Sequence, residues 1–324
     1  MAAVVQTEGL TKDFPVGFWR PRPKRALEGL SLEIPAGGVF GLLGPNGAGK
    51  STTLKLLLSL LRPTSGRAEV LGFPPGDIRA RQRLGFLPEN PTFYDHLTAE
   101  EILSYFAGLF GYHGEDRRRR VAESLALVGL EGDRRRPLRQ YSKGMVQRVG
   151  LAQSLINDPE LVILDEPMSG LDPIGRHEVR DIILRLRGSG RTVLFSSHIL
   201  PDAEQLCSRI GILAKGRLVA AGTVDELTTR AGLGWEIVVA GMGHGVAERL
   251  QPRVRKLTII ADMRYSIEIG PESRPEPLIA ELSAAGASLV SVTPLRTTLE
   301  DVFLERIGQA GGASAGATGL RNAS

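Results

Sequence analysis

The segment GLLGPNGAGKSTTLK, residues 41–55, sets Gly44, Gly49, Lys50 and Ser51 in the spacing G-x-x-x-x-G-K-[ST]. Glycines at 44, 47 and 49 let backbone amides curl round a polyphosphate without Cβ clashes, with Pro45, Asn46, Ala48 and Thr52 completing the loop. Lys50 would place a point charge on the β/γ oxygens. Ser51 offers a hydroxyl to Mg²⁺, and the following helix adds its positive N-terminal end. A second acidic anchor stands in LVILDEP, residues 161–167. A buried strand there would deliver Asp165 to Mg²⁺, directly or through water, and set Glu166 to polarise an attacking water. Together the two motifs describe phosphoryl transfer to water.

Elements of the right type flank both motifs. The loop follows the apolar run VFGLL and precedes the helical pattern STTLKLLLSLL. GGVFGLLG and ELVILDEP read as parallel strands buried on both faces, whereas LEGLSLEI alternates as an antiparallel strand does. Up to about Ala221 the chain has the alternation of an α/β sheet protein. A helix-rich insert at about 91–156 holds TAEEILSYFAGLFGY and RRRRVAESLALVGL. From about Gly234 the texture changes to short strands, WEIVVAG, YSIEIG and ASLVSVTP, with helices EPLIAELSAAG and TTLEDVFLERIG. This predicts a small α+β domain over 234–307, followed by a Gly/Ala/Ser tail, 308–324, with nothing to bury.

Composition narrows the classes. The 324 residues are 42% hydrophobic and 23% charged, as in an ordinary globular protein, and the net charge of +4 gives no nucleic-acid footprint. The runs DRRRR (116–120) and DRRRP (133–137) read as solvated surface. Cys207, the single cysteine, excludes an intramolecular disulfide framework and fits a reducing compartment. The opening MAAVVQTEGLTKDF lacks a basic n-region and apolar core, and no apolar run reaches the ~20 residues of a membrane span. The chain is therefore expected not to cross a membrane by itself.

The stretch YSKGMVQR, residues 141–148, is harder to place. Ser142 suits a helix N-cap, yet Gly144 falls in the first turn, where glycine costs about 1 kcal/mol relative to alanine. Close approach of backbone to an anion would offset that cost. With LVILDEP shortly after it and MSGLDP and LFSSHIL beyond, the stretch completes an ordered set. The chain resembles the nucleotide-binding subunit of an ABC transporter over roughly residues 4–225. YSKGM is similar to the family's signature segment, MSGLDP to its D-loop, and His198 to its switch histidine.

The resemblance implies an ABC-type P-loop NTPase fold: an α/β core with an antiparallel β subdomain and a helical subdomain, 91–156. It implies ATP and Mg²⁺ as cofactors and a head-to-tail pair, of identical or homologous subunits. Ser142 and Gly144 of one chain would then meet the γ-phosphate held by Lys50 of the other. Asp172 would stabilise the dimer contact, and His198 would bond the γ-phosphate and the water. Phe14 takes the place of the aromatic that stacks on adenine, although Phe18 or Trp19 could substitute. Glu89 stands where the family has the Q-loop glutamine, and a carboxylate there can still ligate Mg²⁺. Lys143 replaces a signature glycine. Both variants, with the ending TTLEDVFLER, resemble a branch of bacterial exporters whose ATPase is a separate chain. The implied partner is a membrane-spanning permease, contacted through NPTFYDHLTAEE and the helical insert, at the cytoplasmic face of the inner membrane. The alternative is an ABC-type ATPase acting on ribosomes or DNA. A non-hydrolysing scaffold is disfavoured by Glu166 and His198.

Overall fold

Strands with no polar alternation must be buried on both faces, and four such runs build the centre of this protein. In the computed structural model, which describes residues 3–17, 22–228, 234–295 and 298–312, the chain forms two compact units. One holds residues up to Val224 with those from Phe303 onward; the other holds Asp225–Val302.

The first unit opens with an antiparallel pair, β1 (Ala3–Val16) and β2 (Arg22–Pro35). Strand β3 (Gly38–Leu43) leads into helix α1 (Lys50–Leu57), and β4 (Ser65–Val70) returns to pair with β1. A short helix α2 (Ile78–Arg81) precedes β5 (Leu84–Leu87). Three helices follow, α3 (Ala99–Leu109), α4 (Gly114–Leu127) and α5 (Lys143–Ser154). The alternation then resumes with β6 (Leu161–Leu164), α6 (Pro173–Gly188), β7 (Thr192–Ser197), α7 (Leu200–Leu206), β8 (Arg209–Ala214) and β9 (Arg217–Thr223), after which α8 (Val224–Thr228) runs into the second unit.

Among the described residues the larger sheet has the order β5-β6-β7-β3-β8-β9, parallel except for β9. Helix α1 lies between this sheet and the three-stranded sheet β2-β1-β4. Its Leu54 and Leu57 join a core that takes Val5, Leu27 and Leu30 from one sheet and Leu42, Ile163 and Leu194 from the other. Parallel strands feeding crossover helices leave loops at the C-terminal strand ends, where ligands of such sheets bind.

Helices α4 and α5 are braced by two arginines, Arg120 of the first basic run and Arg148 of α5. Arg120 donates to the carbonyls of Leu155 and Ile156, just past the end of α5. Arg148 of α5 donates in turn to Val128 and Gly129, just past the end of α4. Each cation thus meets the negative end of the other helix. Thr98 and Glu101 cap α3 reciprocally, at 3.2 and 2.8 Å. Arg134 and Arg135 face Glu100, and Arg136 faces Asp133; all three arginines are exposed, so this run is solvated surface, as its composition suggested.

The second unit begins with β10 (Trp235–Ala240) and α9 (His244–Leu250), then β11 (Lys256–Ala261), β12 (Arg264–Ile269), α10 (Pro275–Ala284) and β13 (Ser288–Pro294). The strands form an antiparallel sheet in the order β11-β12-β10-β13. Ile237 and Val239 alternate with Tyr265, Ile267 and Ile269 on the face that packs against Leu250 and Leu282 of α9 and α10. Strand β11 and helix α9 are additions to the elements read from sequence. The closing helix α11 (Leu299–Gly312) runs past residue 308, so 308–312 continue the helix where composition placed a tail. The rest of that tail, 313–324, lies outside the described residues. No described helix is long and apolar enough to cross a membrane.

Helix α5 sits unusually close to β5. A Cβ added at Gly85 would stand 1.9 Å from the carbonyl oxygen of Ser154, inside contact distance with backbone that cannot rotate away. Gly85→Ala is expected to lower stability by about 1–3 kcal/mol through overpacking. Urea unfolding of the two proteins checks this, with the midpoint shifted and the slope unchanged.

Candidate functional site

Three adjacent strands end together. Strands β6, β7 and β3 lie side by side, with Leu164 opposite Phe195 and Ser197 opposite Leu43. Their next residues are Asp165 and Glu166, His198, and the glycine loop that begins at Gly44. The register therefore brings two acids, an imidazole and the loop to one edge.

The loop is held by backbone contacts. The Gly44 N–H donates to the Ser197 carbonyl at 3.3 Å, and the Gly216 N–H to the Ala48 carbonyl at 2.9 Å. Gly49 has φ +108°, and a Cβ there would meet the Ala26 carbonyl oxygen at 2.8 Å, so only glycine serves. Lys50 follows as the first residue of α1 and is buried. Its Nζ donates to the carbonyls of Gly44 at 2.7 Å and Pro45 at 3.3 Å, and lies 3.1 Å from Glu166 Oε1.

Glu166 is the hinge of the arrangement. Its other oxygen, Oε2, lies 2.8 Å from His198 Nδ1, and its N–H donates to Ser196 Oγ at 2.8 Å. Its φ of +46° is in the left-handed region, a strain of about 1–2 kcal/mol for a residue with a side chain. Such strain is held only where surrounding contacts over-determine it. Asp165 Oδ1 accepts from Ser51 Oγ at 3.1 Å and from Ser196 Oγ at 2.7 Å. Ser196 thus links both acids, a role its position in TVLFSS does not announce beyond being polar at a strand end.

The resulting cleft has a volume of about 540 Å³. Residues 46–52, Phe14, Glu89, Glu166 and His198 line it, joined by Lys24, Arg25, Ala26 and Ser169, which sequence reasoning missed. Phe14 is half-buried, with Lys12 Nζ 5.2 Å from its ring centre and Lys24 directly across the strand pair. Phe18 and Trp19 lie outside the described residues.

Three sequence-derived candidates stand apart from this cleft. Ser142 caps α5, its Oγ accepting from the Met145 N–H at 3.2 Å, and is exposed. Asp172 caps α6, its Oδ1 accepting from the Gly175 N–H at 2.7 Å, and is exposed as well. Gly144 faces the same surface; a Cβ there would come no closer than 3.9 Å to any neighbouring heavy atom. The buried Gln147 donates to the Pro167 carbonyl at 3.0 Å, tying α5 to the residue after Glu166.

Comparison with known proteins places this geometry. A family model described as ABC transporter matches residues 27–169. The chain is 45% identical over 312 residues to an uncharacterized ABC transporter ATP-binding protein of Synechocystis sp., covering 96% of this chain and 86% of that one. It is 39% identical to the daunorubicin resistance ATP-binding protein DrrA3 of Streptomyces coeruleorubidus, over 88% of this chain and 92% of the relative. Among solved structures, a dimeric ATP-binding cassette in a post-hydrolysis state with ADP and Pi superposes with a TM-score of 0.61 at 26% identity. That match covers 68% of this chain and 98% of the other. With its phosphate loop, two adjacent acids and His198 gathered on one sheet edge, the chain belongs to the ATP-binding proteins of ABC transporters, a family of ATPases.

Proposed function

We propose that the protein binds and hydrolyses ATP between two copies of itself, or with a homologous subunit, and so powers a membrane exporter. One observation carries the reading. At the helix N-terminus Ser142 is exposed and Gly144 half-buried with room beside it, and both stand outside the cleft that holds Lys50. Glycine there serves no packing need of its own chain. A phosphate presented by a second chain supplies the need.

In this arrangement residues 44–52 cradle the triphosphate and Lys50 meets its γ-oxygens. Phe14 stacks on adenine at the outer end of the cleft. The Ser51 hydroxyl and Asp165 carboxylate are hard oxygen donors of the kind Mg²⁺ accepts, already within 3.1 Å of each other, and Glu89 adds a carboxylate across the cleft. Bound there, Mg²⁺ would neutralise charge on the phosphate oxygens. Glu166 orients the attacking water. His198, with Nδ1 2.8 Å from Glu166 Oε2, keeps that carboxylate aimed. Ser142 and Gly144 of the partner complete the γ-phosphate site, and Asp172 supports the contact between the two chains.

The exporter assignment draws on relatives named for daunorubicin and linearmycin resistance. A permease is the implied partner, with the chain held peripherally at the cytoplasmic membrane face. Its contact surface is an aromatic groove of about 370 Å³ lined by Phe93, Tyr94, Ile102, Tyr105 and Phe106. Tyr94 and Tyr105 are exposed there, as apolar docking surfaces are.

Glu166→Gln is expected to keep ATP binding and lower turnover by about 10²–10⁴-fold, the contribution of a positioned base. Nucleotide-binding and phosphate-release assays on the same preparation check this, and wild-type turnover would remove the assigned role. Gly144→Ala is expected to leave stability unchanged or raise it by up to ~1 kcal/mol, because alanine favours the helix. ATPase activity should nonetheless fall. Calorimetric melting beside a steady-state assay separates the two effects.

A further inference from the structure

Among the described residues three buried side-chain polar atoms have no hydrogen-bond partner: Arg148 Nε, Arg180 Nε and Asp202 Oδ2. Two of the three belong to one facing pair. Arg180 lies two turns into α6, the helix that Asp172 caps. Asp202 lies in the first turn of α7, four residues after His198. Arg180 Nη2 reaches Asp202 Oδ1 at 3.5 Å, a long contact, while Nη1 donates to Gln205 Oε1. The Asp202 side chain is only 7% exposed.

A buried carboxylate is costly unless its oxygens are paired. Guanidinium presents Nε–H and Nη2–H as a planar fork that matches both oxygens of a carboxylate. Here one arm of that fork is made, and the two unpaired atoms, Nε and Oδ2, are those of the other arm. Contacts then close a ring. Glu166 bonds His198, α7 carries His198 to Asp202, Asp202 meets Arg180, and α6 returns through Asp172 to the turn that starts at Glu166. The pair, with the Arg180–Gln205 bond beside it, is where that ring crosses between helices by side chains.

We infer that Arg180 and Asp202 are positioning residues for hydrolysis. They set α7, and with it the imidazole that aims Glu166, against the helix that starts at the dimer contact. The second arm of the fork closes as ATP draws the two chains together. This rests on the function proposed above. Positional shifts far from the reacting atoms can cost on the order of 10²-fold in rate, so the pair can matter without touching nucleotide.

The test uses the full chain with Asp202→Asn, which keeps shape and removes charge, and Arg180→Lys, which keeps charge and removes the fork. Both should lower kcat for ATP at least about tenfold while KM stays within about twofold, as expected for an effect on alignment rather than binding. The chain has five histidines, so selectively labelled imidazoles can be followed by NMR and His198 assigned through His198→Gln. The His198 resonances should move in both variants relative to wild type, and those of Glu166→Gln should move less far when ATP is added to it. If either variant fails to fold, the other decides. Unchanged His198 resonances with wild-type kcat, or a fall in melting temperature alone, would overturn the inference. Failure of the underlying reading shows differently: Glu166→Gln would then hydrolyse ATP at the wild-type rate.

Discussion

A buried ammonium must have negative partners, and Lys50 takes its own from the loop that positions it and from Glu166. Two carbonyls and a carboxylate surround Nζ within 3.3 Å. The same carboxylate is bonded by His198 on its other oxygen. Phosphate oxygens would compete with Glu166 for Lys50, since one cation cannot serve both at full strength. On this account, arrival of the γ-phosphate is what frees Glu166 to face a water. The ordering of binding before hydrolysis follows from a shared cation rather than from a separate gate.

The sheet makes that sharing possible. Three neighbouring strands in register end within two residues of each other, and their exits are a glycine loop, a pair of acids and a histidine. Glu166 is held in the left-handed region by its N–H bond to Ser196, whose hydroxyl also fixes Asp165. The strain is local, and its compensation is a buried hydrogen-bond network. Helix α5 is seated by backbone-close packing on β5, the strand that leads to Glu89, and by Gln147 on Pro167. The N-terminus of α5 is therefore connected, through these contacts, to both sides of the cleft in its own chain.

Much of this was legible in sequence, and the reason is physical. The loop over residues 44–52 acts through backbone, and a backbone requirement leaves a fixed glycine spacing. The buried strands write continuous apolar runs, and Ser142 is followed by a helix for which it caps the first turn. What escaped notice depends on side chains meeting across long separations. Ser196, Gln147, Lys24 and Arg25 look ordinary in a linear string, and only the fold brings them to the acids or the cleft. Gly85 reads as a weak strand residue until α5 packs on it. Strand β11 lies at a sheet edge with Ile259 and Ile260 exposed, so it lacks the alternation that marks a half-buried strand. The basic runs are surface, as their composition suggested, except that Arg120 also bonds the carbonyls past the end of α5, which composition cannot reveal.

The central claim is that one chain supplies the phosphate loop and another the capping helix of each site. Mixing a chain carrying Lys50→Ala with one carrying Ser142→Ala tests it directly. Each parent should be inactive, because every pocket it forms has a defect. The mixed dimer should regain ATP hydrolysis, because one of its two pockets joins an intact Lys50 to an intact Ser142. Activity no greater than the sum of the parents, together with full-speed hydrolysis by monomeric chains carrying Ser142→Ala, would contradict the account.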